Sequence, residues 1–161
     1  MCGSGKSVAS DYLESIGYKK IYFGGLTLEK LKENNEEVNE QNEKMMREKL
    51  RKDLGMGAYA KVLIDDIKSS LEIGNVVLDG VYSWSELEIL KEEFPNLIVL
   101  AIIVDKNIRY ERLTKRIVRP FTNEEANYRD LTEIKNIVVW NRIRYEQDDL
   151  YFKYGRLNPI I

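Results

Sequence analysis

The sequence predicts an α/β domain, a parallel sheet with helices on both faces. Three observations carry this. Short apolar runs, read as strands, alternate along the chain with amphipathic helical stretches. Two of the runs, Val76-Val77-Leu78 and Leu97 to Val104, are apolar at successive positions, as in strands buried on both faces. Gly5-Lys6-Ser7 stands directly before a helical pattern, where a glycine turn points backbone N–H groups at an anion. A chain of 161 residues is long enough for a sizeable core and is read as a single domain over 1–161.

Composition narrows the classes of function. A hydrophobic share of 43% beside 32% charged residues is that of a globular chain. The net charge of −2 argues against a general nucleic-acid binder and against a basic membrane-surface protein. The absence of His removes the usual general base and the commonest metal ligand. A lone Cys2 excludes an internal disulfide framework and a cysteine-built zinc cluster. No apolar run approaches the ~20 residues of a membrane span, and no leader is visible, so the expected compartment is the cytoplasm.

The elements follow in order. Val8, Ala9, Tyr12, Leu13 and Ile16 share one face of a first helix, which Gly17 closes. Lys20 to Phe23 reads as a strand, and Thr27 as the N-cap of the next helix. The polar stretch from Leu28 to about Leu54 reads as two exposed helices with a break near Asn34-Asn35. A helix from Ala58 to Glu72 turns Val62, Leu63, Ile67 and Leu71 inward. Ser83-Trp84-Ser85-Glu86 is a capping box that opens a helix with Leu87, Leu90 and Phe94 inward. Past Asp105 a helix carries Arg109, Arg112 and Arg116 on one face and ends at Arg119-Pro120. Thr122 to Glu125 is a second capping box, and Asp149 to Tyr154 a last strand.

The chemistry concentrates at the ends of these elements. Met1 to Ser7 reads as the close of a G-x-x-x-x-G-K-[ST] loop whose opening Gly falls one residue before Met1. Gly3, Ser4 and Gly5 cradle a phosphate, Lys6 reaches the β- and γ-phosphates, and Ser7 holds Mg²⁺. Asp79, at the tip of a buried strand, suits the second metal contact. Arg116, Arg119 and Arg129 flank a proline turn, where guanidinium groups stabilise a moving phosphoryl group. Arg109 and Arg112 are expected in surface ion pairs with Glu111, Glu124, Glu125 or Asp130. Arg47 and Arg51, one helical turn apart, can meet an anion together.

Gly3-Ser4-Gly5-Lys6-Ser7, Asp79-Gly80-Val81-Tyr82-Ser83 and the arginines ending in Arg129-Asp130 resemble the small P-loop kinases. Within that group the chain is similar to the dephospho-CoA kinase-like and the nucleoside or deoxynucleoside monophosphate kinase-like proteins, over residues 1–135. The resemblance implies a P-loop NTPase fold of three α/β/α layers, strand order 2-3-1-4-5, whose first strand would precede Met1 and lie between the Val76 and Leu97 runs. It implies a helical acceptor region over 26–57 and an arginine lid over 117–130. Lys6, Ser7 and Asp79 would then serve ATP and Mg²⁺, and Arg116, Arg119 and Arg129 the lid; Gly24, Gly25, Arg47 and Tyr82 are the acceptor-side candidates. Two departures stand out. Phe23-Gly24-Gly25-Leu26 lacks the acid that serves dephospho-CoA kinases as base, and Tyr82 stands where monophosphate kinases often carry Arg. The implied activity moves the γ-phosphoryl of ATP to a small nucleotide-like acceptor, a nucleoside monophosphate or dephospho-CoA, with no nucleic-acid or membrane partner. An ATP-binding regulatory or interaction protein and an N-terminally truncated inactive kinase stay open as alternatives.

Overall fold

A computed structural model of the chain describes residues 2–117 and 120–136. The elements are α1 (Lys6–Ser15), β1 (Lys19–Tyr22), α2 (Gly25–Glu33), α3 (Glu40–Leu54), α4 (Ala58–Leu71), β2 (Val76–Asp79), α5 (Trp84–Glu93), α6 (Lys106–Thr114) and α7 (Asn123–Asn136). β1 and β2 pair in parallel, Lys19 opposite Val76 and Tyr22 opposite Asp79. A parallel pair needs a long crossover, and α2, α3 and α4 supply it. The result is an α/β arrangement, rich in helix, around a small parallel sheet. No helix among the described residues is long and apolar enough to cross a membrane.

Alternation along the strands gives the sheet two unlike faces. Ile21 and Leu78 pack on the main core of Phe23, Leu26, Ala58, Tyr59, Ala60, Leu63, Ile67 and Leu90. Lys20, Tyr22 and Asp79 turn the other way and line a cavity. A second, smaller cluster joins Tyr110, Leu113 and Ala126 to Cys2 and Phe121.

Caps explain where the helices begin. Asn39 accepts from Asn42 N at the start of α3, and Asp105 from Asn107 N at the start of α6. Both capping boxes form, Ser83 with Glu86 and Thr122 with Glu125. The break expected near Asn34-Asn35 is there, with α2 ending at Glu33 and Asn35 left-handed at φ 56°.

Several expectations fail for physical reasons. Leu97 to Val104 forms no strand: Ile98 is 88% exposed, and Leu100 and Ile103 are exposed too. A strand exists through its partner, and among the described residues none lies beside this run. In α1, Val8, Tyr12 and Ile16 are exposed, whereas Ser10 is buried. A hydrogen bond from Ser10 to Asp79 sets the helix on the sheet, so only Ala9 and Leu13 of the expected apolar stripe are partly buried and the rest faces outward. Val62 and Leu71 of α4 are half-exposed, the inward positions falling to Tyr59, Leu63 and Ile67. Thr27 caps nothing. Its hydroxyl lies 2.7 Å from that of Tyr59, and α2 starts two residues earlier. α6 stops at Thr114, so Arg116 lies past its end and shares no helix face with Arg109 and Arg112. Arg119 and the Asp149 to Tyr154 run lie outside the described residues.

Ser83 ties distant parts together. It accepts from Glu86 N and donates to the Met56 carbonyl at 2.6 Å, joining the α3–α4 turn to the start of α5. Ser83→Ala removes a cap and strands that carbonyl, so unfolding free energy in a urea titration should fall by about 1–2 kcal/mol. A loss below about 0.5 kcal/mol, the level of an ordinary surface change, would show that the tie contributes nothing.

Candidate functional site

The phosphate loop is built as its residues dictate. Gly3 and Gly5 stand at φ 75° and 88°, a region that side chains disfavour. A side chain at Gly3 would also meet the Arg109 carbonyl oxygen at 2.8 Å. Gly5 is the N-cap residue of α1 and brings no side-chain acceptor, so the first-turn N–H groups are left to an anion. Lys6 leads into this turn and donates to Ser4 Oγ at 3.4 Å. Curled backbone, uncapped helix start and ammonium together fit a polyphosphate.

Opposite the loop, β2 ends in Asp79, which is nine-tenths buried. Ser10 donates to its Oδ2 at 2.9 Å, and Lys20 Nζ lies 3.8 Å from the same oxygen. The ammonium offsets the charge of a carboxylate held away from water. Lys20 also donates to Asp11, and that hydrogen bond holds its ammonium above the usual value against desolvation, with the Asp11 and Asp79 charges adding to it. Lys6, Ser7, Lys20, Tyr22, Asp79 and Tyr82 line one cavity of about 300 Å³. A hydroxyl and a carboxylate on that cavity, beside Lys6, are an oxygen donor set suited to Mg²⁺ bound with a nucleotide.

α6 and α7 close the far side of the loop. Arg109 is buried and grips Asp130 of α7 with two nitrogens, at 3.0 and 2.6 Å. The same guanidinium donates to the Cys2 carbonyl at 3.1 Å, and Arg112 donates to the Gly3 carbonyl at 3.4 Å.

Comparison with known proteins agrees with this geometry. A family model described as an AAA domain matches residues 1–130, which include the loop, both strands and α6. A UPF0200 protein of Thermococcus kodakarensis is 31% identical over 140 residues, covering 84% of this chain and 76% of that one. The chain belongs to the UPF0200 family. A second UPF0200 protein, from Pyrococcus abyssi, is 30% identical across 97% of this chain and 88% of its own. A third, from Methanosarcina mazei, is 34% identical across 72% of this chain and 62% of its own. The UPF0200 chain described here therefore has a P-loop domain.

The structure brings some of the expected residues together. Lys6, Ser7, Asp79 and Tyr82 share the cavity, with Gly3, Ser4 and Gly5 behind them. Gly24 and Gly25 lie beneath the Tyr22 ring. Arg47 is not in the lining; it pairs with Glu43 at 3.3 Å. Its neighbour Arg51 keeps Nε buried without a hydrogen-bond partner among the described residues. Burial holds the nearby Tyr59 phenol above its usual pKa, against the Thr27 hydrogen bond and the Arg51 and Arg47 charges, which lower it. Arg116 is exposed, and Arg129 stacks over Phe121 at 5.8 Å, so neither reaches the cavity. Sequence reasoning missed Ser10, Lys20 and Tyr22. The local trace they leave is slight: a serine one helical turn after Ser7, and a lysine and a tyrosine at alternate positions of a strand, with nothing nearby to show what they meet.

The expected surface pairing of Arg109 needs correction. Its partner is Asp130, and the pair is buried, their side chains 7% and 9% exposed. Asp130→Asn leaves a buried guanidinium uncompensated and should cost about 3–5 kcal/mol in unfolding free energy. Asp130→Leu and Arg109→Met should each cost stability alone, and the two combined should cost much less than their sum. Additive losses in that double-mutant cycle would show that the two residues act independently.

Proposed function

We propose that the chain is an ATP-dependent phosphotransferase whose acceptor presents an ionised phosphate oxygen, as a nucleoside monophosphate does. The observation that supports it is the cavity itself. Lys6, Ser7 and Asp79 share it, and among the described residues Asp79 is the one carboxylate in its lining. Lys6 and the N–H groups at the start of α1 would hold the terminal phosphates of ATP, which supplies the γ-phosphoryl group, while Ser7 and Asp79 would hold Mg²⁺. The metal, when bound, would supply charge neutralisation at the phosphate oxygens. An acceptor oxygen bonds to the γ-phosphorus as the bond to the bridging oxygen breaks, and ADP leaves. A phosphate acceptor is already ionised near pH 7, its second pKa being about 6. No proton then has to be removed. A hydroxyl acceptor such as that of dephospho-CoA needs a base, and a carboxylate engaged with Ser10 and Mg²⁺ is poorly placed to be one. The reaction so framed requires positioning and charge, which a chain without His can provide.

The remaining assignments belong to the same reading. Residues 26–57 would form the acceptor-side helical region, with Gly24, Gly25 and Tyr82 beside it as contacts; Arg47, paired with Glu43 outside the cavity lining, would have to exchange that partner to join them. On this reading Arg116 and Arg129, which lie outside the cavity lining, would meet the phosphates through closure of a lid over 117–130, the span that also contains Arg119.

Two measurements test this. Lys6→Ala should abolish monophosphate-dependent ADP release while leaving the melting temperature in place, since Lys6 belongs to neither hydrophobic cluster of the described residues. Turnover equal to that of the parent chain would remove Lys6 from the site. Asp79→Asn should weaken nucleotide binding in Mg²⁺ more than in its absence. Equal weakening in both would make Asp79 a positioning residue with no metal contact, and basal ADP release across a monophosphate panel, with MgATP still bound, would leave a nucleotide-binding protein without transferase activity.

A further inference from the structure

Two tyrosines leave the site's strands at adjacent points. Tyr22 ends β1, and Tyr82 follows the Asp79-Gly80 turn after β2. Tyr22 is 52% exposed and Tyr82 40%, and neither belongs to a hydrophobic cluster of the described residues. Their rings nonetheless have defined places. A Cβ on Gly80 would lie 3.3 Å from Tyr82 Cε2 and 3.5 Å from Tyr22 Cε2, so the two rings flank one point. At Gly24 a Cβ would fall on the Tyr22 hydroxyl, so this glycine makes room for the ring. Both rings line the cavity that holds Lys6 and Ser7.

The position identifies what such rings would meet. The Cys2–Gly3 part of the loop is covered by α6 through Arg109 and Arg112. Its Lys6–Ser7 end opens on the tyrosines, and on the phosphotransferase reading that is the end at which an acceptor would approach the terminal phosphate. Half-exposed aromatic faces beside a phosphate site stack planar bases, whatever their hydrogen-bonding edge.

We infer that Tyr22 and Tyr82 form an aromatic platform that selects an acceptor carrying a planar heterocyclic base, in preference to a ringless sugar phosphate. The inference deepens the phosphotransferase reading and rests on it for the word acceptor. The platform itself is a matter of binding and is tested without ATP.

Calorimetric titration of the full chain with AMP, CMP and ribose 5-phosphate measures the preference directly. The parent chain should bind at least one of the two monophosphates about tenfold more tightly than ribose 5-phosphate. That ratio should fall toward one in Tyr22→Leu and in Tyr82→Leu, and persist in Tyr22→Phe and Tyr82→Phe, which keep the ring. Equal affinity of the parent chain for ribose 5-phosphate and the monophosphates would overturn the platform. So would an undiminished ratio in the leucine variants, or no monophosphate binding at all. Ring-dependent binding without monophosphate-dependent ADP release would sustain the platform and remove the transferase reading, so the two fail separately.

Discussion

The fork between Arg109 and Asp130 is the contact on which the position of the phosphate loop depends. A loop made of Gly3, Ser4 and Gly5 has little apolar surface, so burial cannot hold it in place. Polar contacts do so instead, from two sides. On one side Arg109, fixed by Asp130, holds the Cys2 carbonyl, and Arg112 holds that of Gly3. On the other, Ser10 fastens α1 to Asp79 at the tip of β2. A lysine in place of Arg109 could not repeat this, because a single ammonium lacks the planar fork that meets both carboxylate oxygens. The cluster of Tyr110, Leu113 and Ala126 beneath the fork is small, so the ion pair orients what the apolar contacts only gather.

The sheet separates two duties. Its core-side face, with Ile21 and Leu78, is joined to α4 and α5 through large buried side chains. Its other face carries Lys20, Tyr22 and Asp79, two of them charged and the third half-exposed. Since neighbours along a strand point to opposite faces, a single four-residue strand serves both at once. The polar face is costly to hold away from water, and the site meets that cost by pairing charge with charge, Lys20 against Asp11 and Asp79.

Much of this was legible in the sequence because it is written locally. Gly5-Lys6-Ser7, the two capping boxes and the break near Asn35 each follow from residues within a few positions of one another. What was not legible depends on partners far along the chain. The apolar run from Leu97 to Val104 has the composition of a buried strand, but composition does not say whether another strand lies beside it. The stripe of Val8, Tyr12 and Ile16 looked inward by periodicity, yet one serine reaching Asp79, 69 positions away, decides how the helix sits. Arg109 read as a surface charge because nothing nearby in sequence foretold a buried Asp130. The same limit hid Lys20: its neighbours in β1 are ordinary, and its meaning lies in the aspartates of α1 and β2.

Gly24 is a glycine for an unusual reason. Its backbone is right-handed helical, at φ −63° and ψ −22°, a conformation open to any residue without strain. What excludes a side chain there is the Tyr22 ring. The two positions are therefore linked sterically, and the order of change would matter. A lineage that first exchanges Tyr22 for a small residue is released from glycine at position 24 and can drift there. One that first substitutes Gly24 displaces the ring from the cavity, and with it whatever the ring selects. Sequences that keep the tyrosine should keep the glycine, and the pair should be lost together.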